Sequence, residues 1–325
     1  MSRPLVLVSE PEFIRAEGLF TSFAPLECVP GPVGDEELAS EIRARGARHV
    51  ILGPMPYPRA IYEVLPKGSV VARFGVGYDG IDVARATAAG LLCTNTPGVL
   101  HQSVAELTLF LIGMAARRLL PTATAMREGR WSPSSGAELA GSTLAVIGTG
   151  TIGRAVARMA AAGFGMRVIG CTRRPAKADD VFAEVTAGFE EAVGSADYVS
   201  LHIPGIPENR HFINARRIAA IRPDAWLINT ARGAVVDERA LFDALTSGTI
   251  AGAALDVFDR EPYIPLEPEY DLRTLGNVIL LPHVGSNTAA ANRRMGERAL
   301  ANILRAEAGE FDAMDLLNRE VVPRR

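Results

Sequence analysis

The segment that most restricts the fold is an apolar run, STLAVIG (142–148), that passes directly into GTGTIG and then into the helical pattern RAVARMAAAG (154–163). A strand, a turn bare of side chains and a helix in immediate succession form the first half of a βαβ unit. Gly148 permits the tight turn, Gly150 lets a pyrophosphate approach the backbone, and Gly153 lets the helix pack close on the strand. The first N–H groups of that helix, with its positive dipole end, favour phosphate. In this setting the motif predicts a dinucleotide site.

Both sides of the motif repeat the same architecture. Before it, PLVLVS, LECVP, HVILGPM, SVVARFG and LLCTNTPG read as strands, alternating with the helical patterns DEELASEIRARGA, IYEVLP and IDVARATAAG. After it, MRVIGCT, ADYVSLHIP, AWLINTA, TIAGAALDVF and NVILLPH bring the second series to six strands. Runs apolar on both faces belong to parallel sheets covered by helices. The chain is thus predicted to be α/β, with two doubly wound parallel-sheet domains. Residues 101–120 read as one long helix, apolar nearly all round, that crosses between domains or packs on another subunit. Residues 287–310 form a helix whose place after the second sheet suggests a return to the first.

Composition removes other classes. The 34 Lys+Arg against 37 Asp+Glu give a net charge of -3, which lacks the footprint of a nucleic-acid binder. The longest apolar helical stretch, 107–116, is too short to span a bilayer, and no secretory h-region precedes Glu10. Cys28, Cys93 and Cys171 are far apart, which suits a reducing cytoplasm and no metal cage.

The strand after the motif bears on the dinucleotide chosen. An acid that binds the ribose hydroxyls of NAD is expected about 20 residues on. The chain has Thr172 there, followed by Arg173, Arg174 and Lys177. Guanidinium groups bind a 2′-phosphate that a carboxylate would repel, so NADP(H) is expected to be preferred. NAD(H) stays possible, because Asp179 and Asp180 lie downstream.

Three further segments fall at strand ends of the second sheet: LINTARGAVVDE with Arg232, AALDVFDREP with Asp256 and Glu261, and ILLPHVGS with His283. An arginine grips a planar carboxylate, a histidine passes a proton near neutral pH, and a carboxylate orients that histidine. Together they suit the reduction of a 2-oxo acid.

With these stretches, RFGVGYDGID (73–82), TNTPGVLHQSVAEL (94–107), SLHIPGIPENRHFIN (200–214) and LPHVGS (281–286), the chain resembles the D-isomer-specific 2-hydroxyacid dehydrogenase family along nearly its whole length. The resemblance implies catalytic roles for Arg232, Glu261 and His283. It implies a substrate site at Val76, Gly77, Arg232, His283 and Ser286. Cofactor contacts are implied at Gly148, Gly150, Thr151, Ile152, Gly153, Thr172, Arg173, Arg174, Ile203, Pro204, Thr230, Asp256 and Gly285. It further implies a flavodoxin-like split substrate domain (1–98 and 288–325), a Rossmann cofactor domain (99–287), and a homodimer joined through the latter; the thiols and the lack of an h-region point to the cytoplasm. Trp131 would then lie near the partner, with core packing the competing reading. A glyoxylate or hydroxypyruvate reductase is expected first, since Thr-Arg-Arg resembles the NADPH-preferring members. Next come a phosphoglycerate dehydrogenase-like or other D-2-hydroxyacid dehydrogenase using NAD, and, less favoured, a non-enzymatic dinucleotide sensor. Leu281 departs from the family's Thr. The stretch PYIPLEPEYDLRTLG (262–276) is somewhat long and Pro-rich and reads as a merely exposed connection, with shaping of substrate access the competing reading.

Overall fold

The computed structural model describes residues 3–175 and 181–322. The chain divides into two compact units, one of Met1–Leu100 with Asn287–Arg325 and the other of His101–Ser286. In the first unit the strands are β1 (Leu5–Ser9), β2 (Glu27–Gly31), β3 (His49–Leu52), β4 (Val70–Arg73) and β5 (Leu92–Thr94). All pair in parallel in the order β2-β1-β3-β4-β5, the flavodoxin-like arrangement. Helices α1 (Glu10–Arg15), α2 (Glu17–Ser22), α3 (Asp35–Arg45), α4 (Ala60–Val64) and α5 (Val83–Ala88) connect them. In α3 three acids occupy the first turn, Gly46 ends the helix in the left-handed conformation, and Leu38, Ala39 and Ile42 face the core.

The second unit opens with α6 (His101–Ala116) and α7 (Leu119–Arg127). There follow β6 (Thr143–Ile147), α8 (Thr151–Phe164), β7 (Arg167–Cys171), β8 (Glu184–Thr186), α9 (Phe189–Val193), β9 (Tyr198–Leu201), α10 (Ala215–Ile218), β10 (Trp226–Asn229), α11 (Glu238–Ser247), β11 (Gly252–Leu255) and β12 (Val278–Leu280). The seven strands are parallel, in the order β12-β11-β10-β9-β6-β7-β8. Strand alternation supplies two cores. Ala145 and Ile147 of β6 face one with α9 and α11, while Leu144 and Val146 face the other with α6 and α8. The expectation of two doubly wound parallel sheets is met.

Two readings are corrected. The sheet has a seventh strand, β8, a three-residue edge too short to show as an apolar run. Helices α1 and α2 had no clear pattern in the sequence. The helix predicted over 101–120 ends at Ala116, where the Ala116 carbonyl accepts the Ala137 N–H at 2.8 Å and Arg118 turns to φ 50°. Residues 262–276 are mostly exposed, as expected, but are anchored at a few points. Leu272 is fully buried, its N–H donates to the Tyr263 hydroxyl at 3.0 Å, and Tyr270 packs on Phe242 and Arg239. Leu281, the departure from the family's Thr, packs against the α6–α8 core.

The last helix, α12 (Ala289–Ala308), belongs to the first unit, where it packs against β4, α1 and α2. A Cβ at Gly296 would stand 2.6 Å from Leu19, so glycine sets that close approach. Beyond it the chain runs antiparallel beside β5, with Thr94 bridged to Leu316. Asn318, fully buried, accepts the Cys93 N–H at 2.8 Å and donates to the Leu91 carbonyl and the Thr87 hydroxyl at 2.9 Å each. Asn318→Ala leaves those groups buried without a partner and is expected to cost about 2–4 kcal/mol in urea unfolding. An unchanged midpoint would contradict this reading.

Candidate active site

The dinucleotide turn and the loops that carry Arg232, Glu261 and His283 all leave the carboxyl ends of the second unit's strands. β6 and β9 are neighbours whose following helices, α8 and α10, pack on opposite faces of the sheet, so their loops flank the topological switch point. Gly148 has φ 104°, and a Cβ there would meet the His202 carbonyl. A Cβ at Gly153 would collide with the Gly148 carbonyl, whereas one at Gly150 would meet no atom within 4 Å. The turn is therefore tight where the protein packs on itself and open at Gly150, where α8 begins. The first intrahelical bond runs from Arg154 N–H to Gly150 O at 2.9 Å, which leaves the N–H groups of Thr151, Ile152 and Gly153 for a ligand. These residues fit a pyrophosphate.

Gly148 N–H donates to Cys171 O at 2.9 Å, which ties the turn to the end of β7 and brings Thr172 beside it. Thr172 is half-buried and its N–H bonds Thr186 O at 3.0 Å, while Arg173 and Arg174 are exposed. Lys177, Asp179 and Asp180 lie outside the described residues. Ile203 packs against the core, and the Pro204 carbonyl is held by Asn209 Nδ2 at 2.9 Å.

Arg232, Glu261 and His283 come from the loops after β10, β11 and β12. The Asn229 side chain clamps the first, accepting the Ala231 N–H at 3.0 Å and donating to Arg232 O at 2.9 Å. A Cβ at Gly233 would collide with the Phe258 carbonyl, so the Arg232 loop lies backbone to backbone on the turn leading to Glu261. Glu261 Oε1 accepts the Phe258 N–H at 3.0 Å, and Oε2 takes His283 Nδ1 at 2.6 Å. A carboxylate can only accept, so Nδ1 carries the hydrogen in this bond. Burial raises the Glu261 carboxyl, but the bond and charge of His283, the Phe258 N–H and the Arg232 charge outweigh it and hold the group below its usual range.

His283 adopts φ 54°, a conformation that a non-glycine residue keeps only when its surroundings impose it. Asp256 imposes it. Its carbonyl accepts the His283 N–H at 2.8 Å, and its carboxylate accepts Val284 N–H at 2.8 Å and Gly285 N–H at 2.7 Å. Burial raises the Asp256 carboxyl in spite of those two donors. Both carboxylate oxygens of Asp256 thus serve the turn, beside its carbonyl. The Thr230 hydroxyl bonds Thr108 Oγ1 at 2.9 Å, and Ser286 is half-buried at the end of the unit. A second histidine at these strand ends, His202, bonds the Ser200 hydroxyl at 2.8 Å, and burial pushes it down to about 3. It stays neutral at physiological pH.

Asp256 as a clamp, Asn229 and Thr108 escaped the sequence reading, because each acts through partners that only the fold brings close. Asn229 alone left a signal, an Asn at a strand end two residues before an alanine N–H.

A dinucleotide turn at the switch point, with an acid–imidazole pair and an arginine on the same sheet edge, defines a pyridine-nucleotide oxidoreductase. The chain belongs to the D-isomer specific 2-hydroxyacid dehydrogenase family, whose NAD-binding domain matches residues 109–285. It is similar to a glyoxylate reductase of Thermococcus litoralis, 40% identical over 81% of each chain. It is also similar to a D-3-phosphoglycerate dehydrogenase of Methanocaldococcus jannaschii, 36% identical over 98% of this chain and 60% of that one. Among solved structures it resembles an NADPH-dependent glyoxylate/hydroxypyruvate reductase from Sinorhizobium meliloti in complex with NADP and malonate. That match has TM-score 0.82 and 32% identity over 100% and 99% of the two chains. The protein is thus an oxidoreductase acting on CH–OH donors.

A carboxyl held low in the folded state stabilises the protein above the ordinary glutamate pKa of about 4.3, and this contribution fades as pH falls through the lower folded value. Wild type is therefore expected to melt above Glu261→Gln at pH ~5.5, with the gap narrowing below pH ~4. A gap independent of pH would contradict the assignment.

Proposed function

We propose that the protein reduces a small 2-oxo acid, glyoxylate or hydroxypyruvate first, to the D-2-hydroxy acid, with NADP(H) preferred. The observation that carries this reading is the 2.6 Å bond from His283 Nδ1 to Glu261. It fixes the tautomer, so that Nε2 of the imidazolium gives its proton to the carbonyl oxygen while Glu261 keeps the ring oriented. Arg232 binds the carboxylate through its guanidinium. The Val76 and Gly77 N–H groups bind the same class of anion, and Ser286 contributes to the substrate site. A reduced nicotinamide, when bound, supplies the hydride. Gly148, Gly150, Thr151, Ile152 and Gly153 would hold its dinucleotide, Ile203 and Pro204 would cover it, and Thr230, Asp256 and Gly285 would lie beside its ribose and ring. A phosphoglycerate dehydrogenase activity is the second reading, supported by the relative of that name.

Support for NADP(H) comes from Thr172, which replaces an acid beside the Gly148 turn, and from the exposed Arg173 and Arg174. The Sinorhizobium reductase, similar over the whole chain, binds NADP. Among the described residues no helix is long and apolar enough to cross a membrane, and the three cysteines are free and buried. The thiols agree with the cytoplasmic location we propose. Large apolar side chains stand exposed on the second unit. Phe110 of α6 is 64% and Trp131 83% exposed, with Leu119, Leu120 and Met126 also uncovered. Trp131 is therefore not a core residue, and such exposure fits a homodimer through this unit.

His283→Ala is expected to lower kcat for glyoxylate by about 10²-fold or more while the protein still binds NADPH. An unchanged kcat would remove the imidazole from the reaction. Replacing Arg173 and Arg174 together by serine is expected to raise KM for NADPH about tenfold or more and to leave that for NADH nearly constant. Equal effects on both would defeat the proposed 2′-phosphate contact.

A further inference from the structure

Three successive carbonyls in the loop after β4 are each taken by a different donor. Gly75 O accepts the Thr96 N–H at 2.9 Å, Val76 O accepts Asn95 Nδ2 at 2.8 Å, and Gly77 O accepts Arg73 Nε at 2.8 Å. Across a trans peptide the C=O and N–H point in opposite directions. Fixing the three carbonyls therefore turns the N–H groups of Val76, Gly77 and Tyr78 away from those donors. Among the described residues these three N–H groups donate to no protein acceptor.

The hold is built in. Gly75 sits at φ 145°, a conformation that L side chains rarely adopt, and a Cβ there would crowd three guanidinium atoms of Arg73 at 3.1 Å. Arg73 is in turn tied to the end of β3 through Leu52 O at 3.3 Å, and to the Phe74 carbonyl. Asn95 follows β5, the strand paired with β4, so its amide reaches Val76 from a rigid base. Successive backbone N–H groups in such a loop can form a concave anion site.

We infer that Asn95 and Arg73 are positioning residues for carboxylate recognition, holding the 75–77 carbonyls so that the N–H groups of Val76, Gly77 and Tyr78 present a preformed cradle. This rests on the reading above, that these N–H groups bind a substrate carboxylate. The amide at 95 matters as a donor. An aspartate of the same shape would repel the Val76 carbonyl and free its peptide to turn.

The test compares wild type with Asn95→Asp, Asn95→Ala and Arg73→Lys. For each, KM and kcat with glyoxylate, the inhibition constant of oxalate, the dissociation constant of NADPH and the melting temperature are measured. Asn95→Asp is expected to raise KM and the oxalate constant in parallel, by about ten- to a hundredfold, with Asn95→Ala and Arg73→Lys affected in the same sense. Values of kcat and NADPH affinity should stay within about twofold, a split that general damage does not produce. A folded Asn95→Asp with unchanged KM and oxalate constant overturns the inference and leaves the proposed function standing. Losses of kcat and NADPH affinity that match the rise in KM also overturn it. If Asn95→Asp fails to fold, Asn95→Ala decides by the same criteria. A wild-type protein that reduces no 2-oxo acid removes both the reading and the inference.

Discussion

Asp256 is almost wholly buried beneath the turn that carries His283, and three of its oxygens receive consecutive N–H groups from His283, Val284 and Gly285. A carboxylate taken out of water needs such donors, and the turn needs an acceptor for each of its N–H groups. Each requirement satisfies the other, and the outcome is a histidine kept at positive φ. The Glu261 bond is then a second hold on a side chain whose backbone is already fixed. Orientation of the imidazole thus comes from two carboxylates of unlike character, one raised by burial and one held low by its partners.

Glycine contributes to the site mainly by allowing backbones to touch. At Gly148 and Gly153 the dinucleotide turn closes on the His202 carbonyl and on itself, and at Gly233 the Arg232 loop lies directly on the turn before Glu261. Phe258 in that turn also meets the Tyr263 ring at 4.6 Å, so the anchored stretch after Pro262 braces the same piece of chain. Rigid loops on rigid strand ends are what permit a few side chains to act together.

Much of this was legible in the sequence for a definite reason. Strands such as Leu144–Ile147 are buried on both faces, which leaves uninterrupted apolar runs, and the order of those runs around GTGTIG gave the two doubly wound sheets. Arg232, Glu261 and His283 stood out because each follows such a run. What escaped notice depends on partners distant in the chain or on very short elements. Glu184–Thr186 pairs only at a sheet edge. Asn318 is 225 residues from the Cys93 N–H it accepts, and the break after Ala116 follows from a carbonyl claimed by Ala137. Asp256 was legible as a site residue, while its service to the His283 turn was not, since hydrogen bonds leave no periodicity. Nor does an apolar helix disclose which side it leaves bare, as Phe110 does.

The account stands on one imidazole and one guanidinium of the second unit meeting the same small acid. A crystal structure of the holoenzyme with oxidised dinucleotide and oxalate tests this most directly. His283 Nε2 and the Arg232 guanidinium are expected within hydrogen-bonding distance of oxalate oxygens, about 2.7–3.2 Å. Oxalate seated away from both side chains, with the dinucleotide bound, would contradict it.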